Sequence, residues 1–165
     1  MKCLKLIFCL LYLCCSLAEA KEVQVDAQKE VDEMTGRLVA SYLEAKVDED
    51  IIAGYASALR SDGSFPDLDY VTVHEGSSYP AGSHLKRLKL MAIAYRKPGN
   101  KYYNSGRLLK QIVAGIDYWY RVRPKSGNWW FGDIGAPQDY MVPLILLKGK
   151  ISCLLYTSDA ADDLT

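Results

Sequence analysis

Two adjacent tryptophans, Trp129 and Trp130, are the side chains in this sequence best suited to hold a ligand. They follow Asn128 and precede a stretch with glycines and a proline, Gly132–Pro137. Glycine and proline break both helix and strand, so we predict that the pair lies on a loop between helices. On a loop both indoles can face one surface, where each offers a broad apolar face and one N–H donor. Such a surface suits the C–H face of a sugar ring, and the alternative is that one or both indoles belong to the core.

The other side chains that could do chemistry form weaker patterns. The sequence has only two histidines, His74 and His84, and neither has a partner at metal-ligand spacing, so we predict no metal site. His84 opens a predicted helix beside apolar residues, where we expect a structural role instead of a general base. Asp62, Asp67 and Asp69 lack the spacing of a calcium loop and are too close in sequence to favour glycoside hydrolysis, so we interpret them as turn-forming residues.

Four stretches, in the same order, resemble the polysaccharide lyases that include hyaluronate, chondroitin AC and xanthan lyases. Asn128–Pro137 resembles the Asn-Trp-Trp…Ile-Gly-x-Pro signature of that family. Three upstream stretches are similar to the same family, namely Asp62–Tyr70, His84–Arg96 and Gly115–Trp119. The resemblance covers about residues 30–150, so the chain is identified as the N-terminal part of a member of polysaccharide lyase family 8.

The resemblance implies an all-α fold in which helical hairpins form the first part of an incomplete α/α toroid. It also implies that the whole protein is a lyase that cleaves acidic polysaccharide of the hyaluronan or chondroitin type by β-elimination. A base removes the C5 proton beside a uronate carboxylate, which must be neutralised as charge develops on it. In the family an Asn neutralises it, His and Tyr transfer the proton and an Arg assists. Those motifs lie beyond residue 152, so we assign no catalytic residue and expect this part alone to be inactive.

The substrate-binding residues that carry over are Trp129 and Trp130, the aromatic patch on which the family stacks sugars, with Asn128 beside them. The resemblance implies no cofactor, and we expect neither nucleic acid nor, after export, a membrane as a partner. Two alternatives stay open. One is a non-catalytic sugar-binding helical domain that uses the same tryptophans, and the other is an α/α-toroid glycoside hydrolase, which needs separated carboxylates.

Both ends of the sequence differ from the middle. Residues 1–20 combine two early lysines, an apolar run and the cleavage-type sequence Ala18-Glu19-Ala20, so we predict a signal peptide and a secreted or periplasmic protein. Residues 153–165 resemble translated sequencing-adapter DNA, which leaves residues 21–152 as the predicted lyase domain part. All five cysteines lie outside residues 21–152, so that part can form no disulfide. An acylated Cys14 or Cys15 is the alternative to cleavage at Ala20.

The formal net charge of zero conceals an asymmetry between two halves. Lys21–Ser83 has five Lys and Arg against thirteen Asp and Glu, whereas His84–Lys150 has thirteen Lys and Arg against three Asp. A solvated basic helix face is the common meaning of such a run. The basic half also contains the tryptophan pair, and a positive field around a cleft would attract a polyanionic ligand.

Apolar side chains recur at helical spacing in five segments, and we predict a helix for each. They are centred on Val31–Tyr42, Ile51–Leu59, Leu85–Tyr95 and Leu108–Trp119, and on a last segment with Pro137 in its first turn.

The stretch Ser61–Gly82 is rich in Gly, Ser, Pro and Asp and predicts a long loop, with one extended stretch at Tyr70–Val73. We predict that Ser83 caps the helix that follows. The succession of helices and loops favours an all-α array of hairpins.

Overall fold

The computed structural model describes residues 27–151, and every regular element in that range is helical. The all-α prediction is confirmed, and Tyr70–Val73 forms no strand. The predicted signal peptide and the predicted adapter-derived tail both lie outside the described residues. No helix in the described range is long and apolar enough to span a membrane. In chain order the elements are α1 (27–43), α2 (Glu49–Ala58), a 3₁₀ turn (Pro80–Gly82), α3 (Ser83–Arg96), α4 (Gly106–Val122), a π-helical segment (Trp130–Gly135) and α5 (Ala136–Leu146).

The chain divides after Ser41 into a short N-terminal unit and a larger one. The described part of the first unit is most of α1, whose apolar residues share one face as their spacing predicts. That face, Val31, Met34 and Leu38, is between 41% and 62% exposed. α1 is therefore an amphipathic helix whose apolar side is open to solvent in this structure.

Helix α3 is the centre of the larger unit and packs against α2, α4 and α5. Its inner residues Leu85, Leu88 and Met91 are completely buried, and each such side chain contributes about 1.5–3 kcal/mol of hydrophobic free energy. α4 approaches closely because Gly115 has no side chain, since a Cβ there would lie 2.6 Å from a Leu88 methyl. The larger unit is thus built outward from α3.

The two helix starts that carry serines differ from each other. Ser105 caps α4, because its side-chain oxygen accepts a hydrogen bond from the Leu108 N–H at 3.3 Å. The predicted cap at Ser83 is wrong, because Ser83 is the first residue of α3 and no side chain caps that end. The preceding 3₁₀ turn runs directly into α3 in helical geometry, so Gly82 takes the cap position instead.

The acidic group in the long loop holds turns, as the sequence predicts. Asp69 accepts hydrogen bonds from Val71 and Thr72, and those of Thr72 lower the pKa of the Asp69 carboxyl to about 2. Asp62 accepts two hydrogen bonds from Ser64. Asp67 binds both guanidinium nitrogens of Arg87 on α3, and this pairing lowers the pKa of Asp67. The loop is therefore fastened to itself and to α3.

The buried His84 side chain connects the same loop to α4 through two hydrogen bonds. Its Nε2 lies 2.9 Å from the carbonyl oxygen of Gly115, which can only accept, so Nε2 is the protonated nitrogen. Nδ1 then accepts from the Tyr70 hydroxyl at 2.9 Å. The side chain is fully buried, and desolvation lowers the pKa of His84 to about 4. The predicted structural role of His84 is confirmed.

Candidate functional site

The tryptophan pair lies at the start of a helical segment, so the predicted loop is wrong. Helical geometry begins at Trp129, continues through the π-helical segment and runs into α5. The wider π turn accommodates the two glycines of this stretch. Pro137 lies in the first turn of α5, as predicted. The glycines and the proline, which predicted a loop, therefore lie within continuous helical backbone.

Asn128 holds this helix start through its side chain. Its Oδ1 accepts from the Trp130 N–H at 2.9 Å, which caps the first turn. Its Nδ2 donates to the carbonyl oxygen of Gly76 at 2.8 Å, in the loop that precedes α3. Next to it, the Gly127 N–H donates to the carbonyl oxygen of His74 at 3.1 Å. Asn128 therefore positions the tryptophans, since both of its polar side-chain atoms have protein partners.

The two indoles occupy different surroundings. Trp130 is 45% exposed and forms part of the wall of a cleft of about 280 Å³. Trp129 is 67% exposed and does not line that cleft. Successive side chains on a helical turn diverge, so the pair does not face this cleft together as the loop prediction required. The alternative that either indole belongs to the core is also wrong.

The cleft beside Trp130 combines aromatic and polar side chains from four elements. We call it the Trp130 cleft, and it lies among the loop before α3, the N-terminal part of α3, the π-helical segment and the start of α5. Its principal lining side chains are Tyr79, Lys86, Trp130, Phe131, Gln138 and Asp139.

A chain of ring contacts connects this cleft to the core. Trp130 meets Phe131 edge-on at 5.3 Å, Phe131 lies 5.8 Å from Tyr79, and Tyr79 meets the edge of Trp119 at 6.4 Å. On the other side, a Cβ at Gly135 would lie only 2.9 Å from the Trp130 ring, so the indole lies against bare backbone. Trp130 is therefore held in place while nearly half of its surface stays open.

Polar groups around the cleft are largely committed to protein partners. The Tyr79 hydroxyl donates to the Pro124 carbonyl oxygen at 2.9 Å, and burial raises the pKa of Tyr79. Asp139 forms an ion pair with Lys89 at 2.7 Å. A half-open ring beside a shallow cavity with a few polar groups is typical of a site that binds a sugar.

Comparison with known proteins assigns the chain to a family. The sequence model of polysaccharide lyase family 8, N-terminal α-helical domain, matches residues 27–162. The chain belongs to polysaccharide lyase family 8. Chondroitinase-AC of Pedobacter heparinus is 34% identical over 92 residues, and hyaluronate lyase HylB of Enterococcus faecalis is 28% identical over 95 residues.

The fold of this family 8 chain is similar to that of a chondroitinase AC lyase solved as enzyme–oligosaccharide complexes. The TM-score is 0.63 at 28% identity, over 70% of this chain, which supports the predicted helical hairpins of an α/α toroid. The matched regions span 13% and 10% of the two curated relatives and 17% of the solved structure. This family 8 chain therefore corresponds to a small N-terminal part of those proteins.

Sequence reasoning missed most of the lining residues, among them Tyr79, Lys86 and Phe131. Phe131 follows the tryptophan pair directly, so its position in the signature could have identified it. Tyr79 has no such signal, because its place depends on how the long loop folds back on α3. Lys86 is one of many lysines in the basic half. Its position on α3 sets it apart from the others only because that position lines the cleft.

Proposed function

We propose that the whole protein is a lyase that cleaves acidic polysaccharide of the chondroitin or hyaluronan type by β-elimination. The chain described here would supply part of the substrate-binding surface, and residues beyond 152 would supply the proton transfer. The observation that carries the proposal is Trp130, a half-exposed indole fixed along a cleft in a family 8 domain. Membership of the family and similarity to two polysaccharide lyases support the reaction class.

In this proposal the Trp130 ring stacks on a sugar face. The indole offers a flat apolar surface that matches the axial C–H groups of a pyranose, and Phe131 extends the same apolar wall. Trp129 gives a second exposed indole on the adjoining surface. Asn128 acts through the backbone that it holds, because its amide is already bonded to Gly76 and Trp130. Pre-positioned aromatic rings lose little conformational entropy when substrate binds.

The proposal is tested by comparing three tryptophan-to-alanine variants in the full-length protein. Trp130→Ala and Trp129→Ala should weaken chondroitin binding by about 1–3 kcal/mol each, by analogy with aromatic platforms under nucleic-acid bases, and leave the unfolding free energy little changed. Trp119, only 8% exposed, is the matched control. Trp119→Ala should cost about 3–5 kcal/mol of unfolding free energy, because it empties a core site.

Binding is measured from the KM for chondroitin, with product formation followed by the absorbance of the unsaturated sugar, and stability by chemical denaturation. If Trp129→Ala and Trp130→Ala unfold the protein while the remaining folded molecules bind substrate normally, the stacking role is wrong. If the full-length protein binds chondroitin but releases no unsaturated product, it is a sugar-binding protein and not a lyase.

We also propose that residues 1–20 direct export to the periplasm or the medium and are then removed. Support comes from the basic start, the apolar run and the Ala18-Glu19-Ala20 sequence. N-terminal sequencing of the exported protein should begin at Lys21. An acylated Cys14 or Cys15 in the mature protein would contradict this proposal.

A further inference from the structure

Among the residues that the structure describes, one positively charged side chain of the Trp130 cleft has no hydrogen-bond or ion-pair partner. Lys86 lies on the exposed side of α3, in the turn after the buried Leu85, and its side chain lines the cleft. Among residues 27–151 no hydrogen bond or ion pair involves the Lys86 side chain. Its neighbour one turn along, Lys89, is in contrast bound to Asp139 at 2.7 Å. The ammonium group of Lys86 is thus free to bind something that enters the cleft.

The other polar groups of the cleft do not compete for that role. Asp139 is the acidic side chain in the lining, and its charge is already balanced by Lys89. The Tyr79 hydroxyl donates to Pro124 and is turned to the protein. Gln138 and Ser77 are neutral, so they can bond hydroxyl groups but add no charge. The balance of charge in the cleft is therefore positive, and Lys86 supplies it.

We propose that Lys86 binds the acidic group of the sugar that stacks on Trp130, so that the Trp130 cleft selects charged sugar units over neutral ones. This inference rests on the proposed function, because it assumes that a sugar ring occupies the cleft. An ammonium group is a compact charge with three donors, and it binds a carboxylate or a sulfate without requiring one fixed geometry. Trp130 then supplies contact area for any ring, while Lys86 supplies the preference for an acidic one.

The experiment compares an acidic and a neutral form of one ligand in the full-length protein. Unsulfated chondroitin hexasaccharide is the acidic substrate and gives a KM. A chondroitin hexasaccharide whose uronates are chemically reduced to alcohols keeps the rings, loses the charge and gives a Ki as a competitive inhibitor. Lys86→Gln should raise the KM about three- to fivefold, the upper end for an exposed ion pair, and leave the Ki within twofold of the parent. The kcat should change less than twofold, since Lys86 acts in binding.

Two variants complete the comparison. Lys86→Arg retains the charge and should restore the KM to within about twofold of the parent value. Lys110→Gln removes an exposed lysine from α4 that lines none of the cleft, and it should change neither constant. Added salt should raise the KM of the parent more steeply than that of Lys86→Gln, because screening weakens the contact that the variant lacks.

The outcomes separate this inference from the proposed function. If Trp130→Ala raises both the KM and the Ki while Lys86→Gln changes neither, sugar stacking stands and the role of Lys86 is overturned. If Lys86→Gln raises both constants equally, Lys86 shapes the cleft and does not read charge, which also overturns the inference. If Trp130→Ala leaves both constants unchanged, the sugar-binding role of the cleft itself fails.

Discussion

Trp119 and Trp130 lie in one line of aromatic contacts, yet only Trp130 is open to a ligand. Trp119 is on the inner face of α4 and stacks on His84 at 5.6 Å, in a cluster with Leu85. Trp130 is three rings further out, against Phe131 and the bare backbone of Gly135. The buried ring supports the exposed one through Tyr79, so this line of contacts joins a core residue to a surface residue.

His84 makes the stability of the larger unit depend on pH. The folded pKa is lowered from 6.5 to about 4, so the unfolded chain takes up a proton first as the pH falls. Stability is therefore complete above about pH 7 and declines as the pH falls from 6.5 toward 4, by about 3 kcal/mol in total. The nearby Arg87 guanidinium adds to the cost of a second positive charge. Urea unfolding at several pH values, followed by tryptophan fluorescence, measures this decline.

The His84→Gln variant is the control for this prediction. Glutamine can still donate to Gly115 and accept from Tyr70, but it does not titrate. Its unfolding free energy should be lower than that of the parent at pH 7 and nearly constant between pH 6.5 and 5. His74→Gln, at the second histidine, should retain the dependence of the parent. An equal decline in His84→Gln would mean that another group is responsible.

At the scale of elements, the sequence predicts where the helices lie, because their buried apolar residues recur at helical spacing. Leu108, Ile112, Ile116 and Trp119 are spaced for one face of a helix, and that face is the buried one in α4. Sequence alone does not predict the π-helical segment, because Gly132 and Gly135 are local breakers that only tertiary contacts overrule. The decisive tertiary contact is the hydrogen bond from Asn128 to the Gly76 carbonyl oxygen, which joins chain positions 52 residues apart. The same side chain caps the local turn at Trp130.

The candidate site also has a part that the sequence predicts and a part that only the structure shows. Residue type and the resemblance to the family signature make Trp129 and Trp130 the candidates, and their role in binding stays a prediction. Their surroundings required the fold, since Tyr79 and Lys86 reach the Trp130 cleft from the long loop and from α3. The direction of each indole also required the structure. Because the two residues lie on a helical turn, Trp130 forms part of the cleft wall and Trp129 lies outside it. The candidate residues could thus be chosen from the sequence, whereas their arrangement around the cleft could not.

At the scale of the whole molecule, the site is built on the part of the chain that is buried most deeply. The Trp130 cleft uses α3 as one wall, and Leu85 in that wall is completely buried. Rigid support of this kind keeps a binding surface in its bound geometry before the ligand arrives. α1 has no such burial of its apolar face, since Val31, Met34 and Leu38 are all about half exposed.

This contrast predicts a gradient of local stability that amide hydrogen exchange can measure on residues 21–152. Isolated helices of this length are marginal in water, and α1 gains little from packing of its apolar face, so its amides should exchange within about seconds to minutes. The amides of α3 should exchange only through opening of the larger unit, which makes them the slowest in the protein. Peptides covering 27–41 and 83–96, quantified by mass spectrometry, give both rates in one experiment.

Substituting Met34 by Ala should leave the α3 rate unchanged, whereas Leu88→Ala should accelerate it by removing a buried side chain worth about 2–5 kcal/mol. Equal protection of α1 and α3 would mean that the apolar face of α1 is covered in solution, and the gradient would then be wrong.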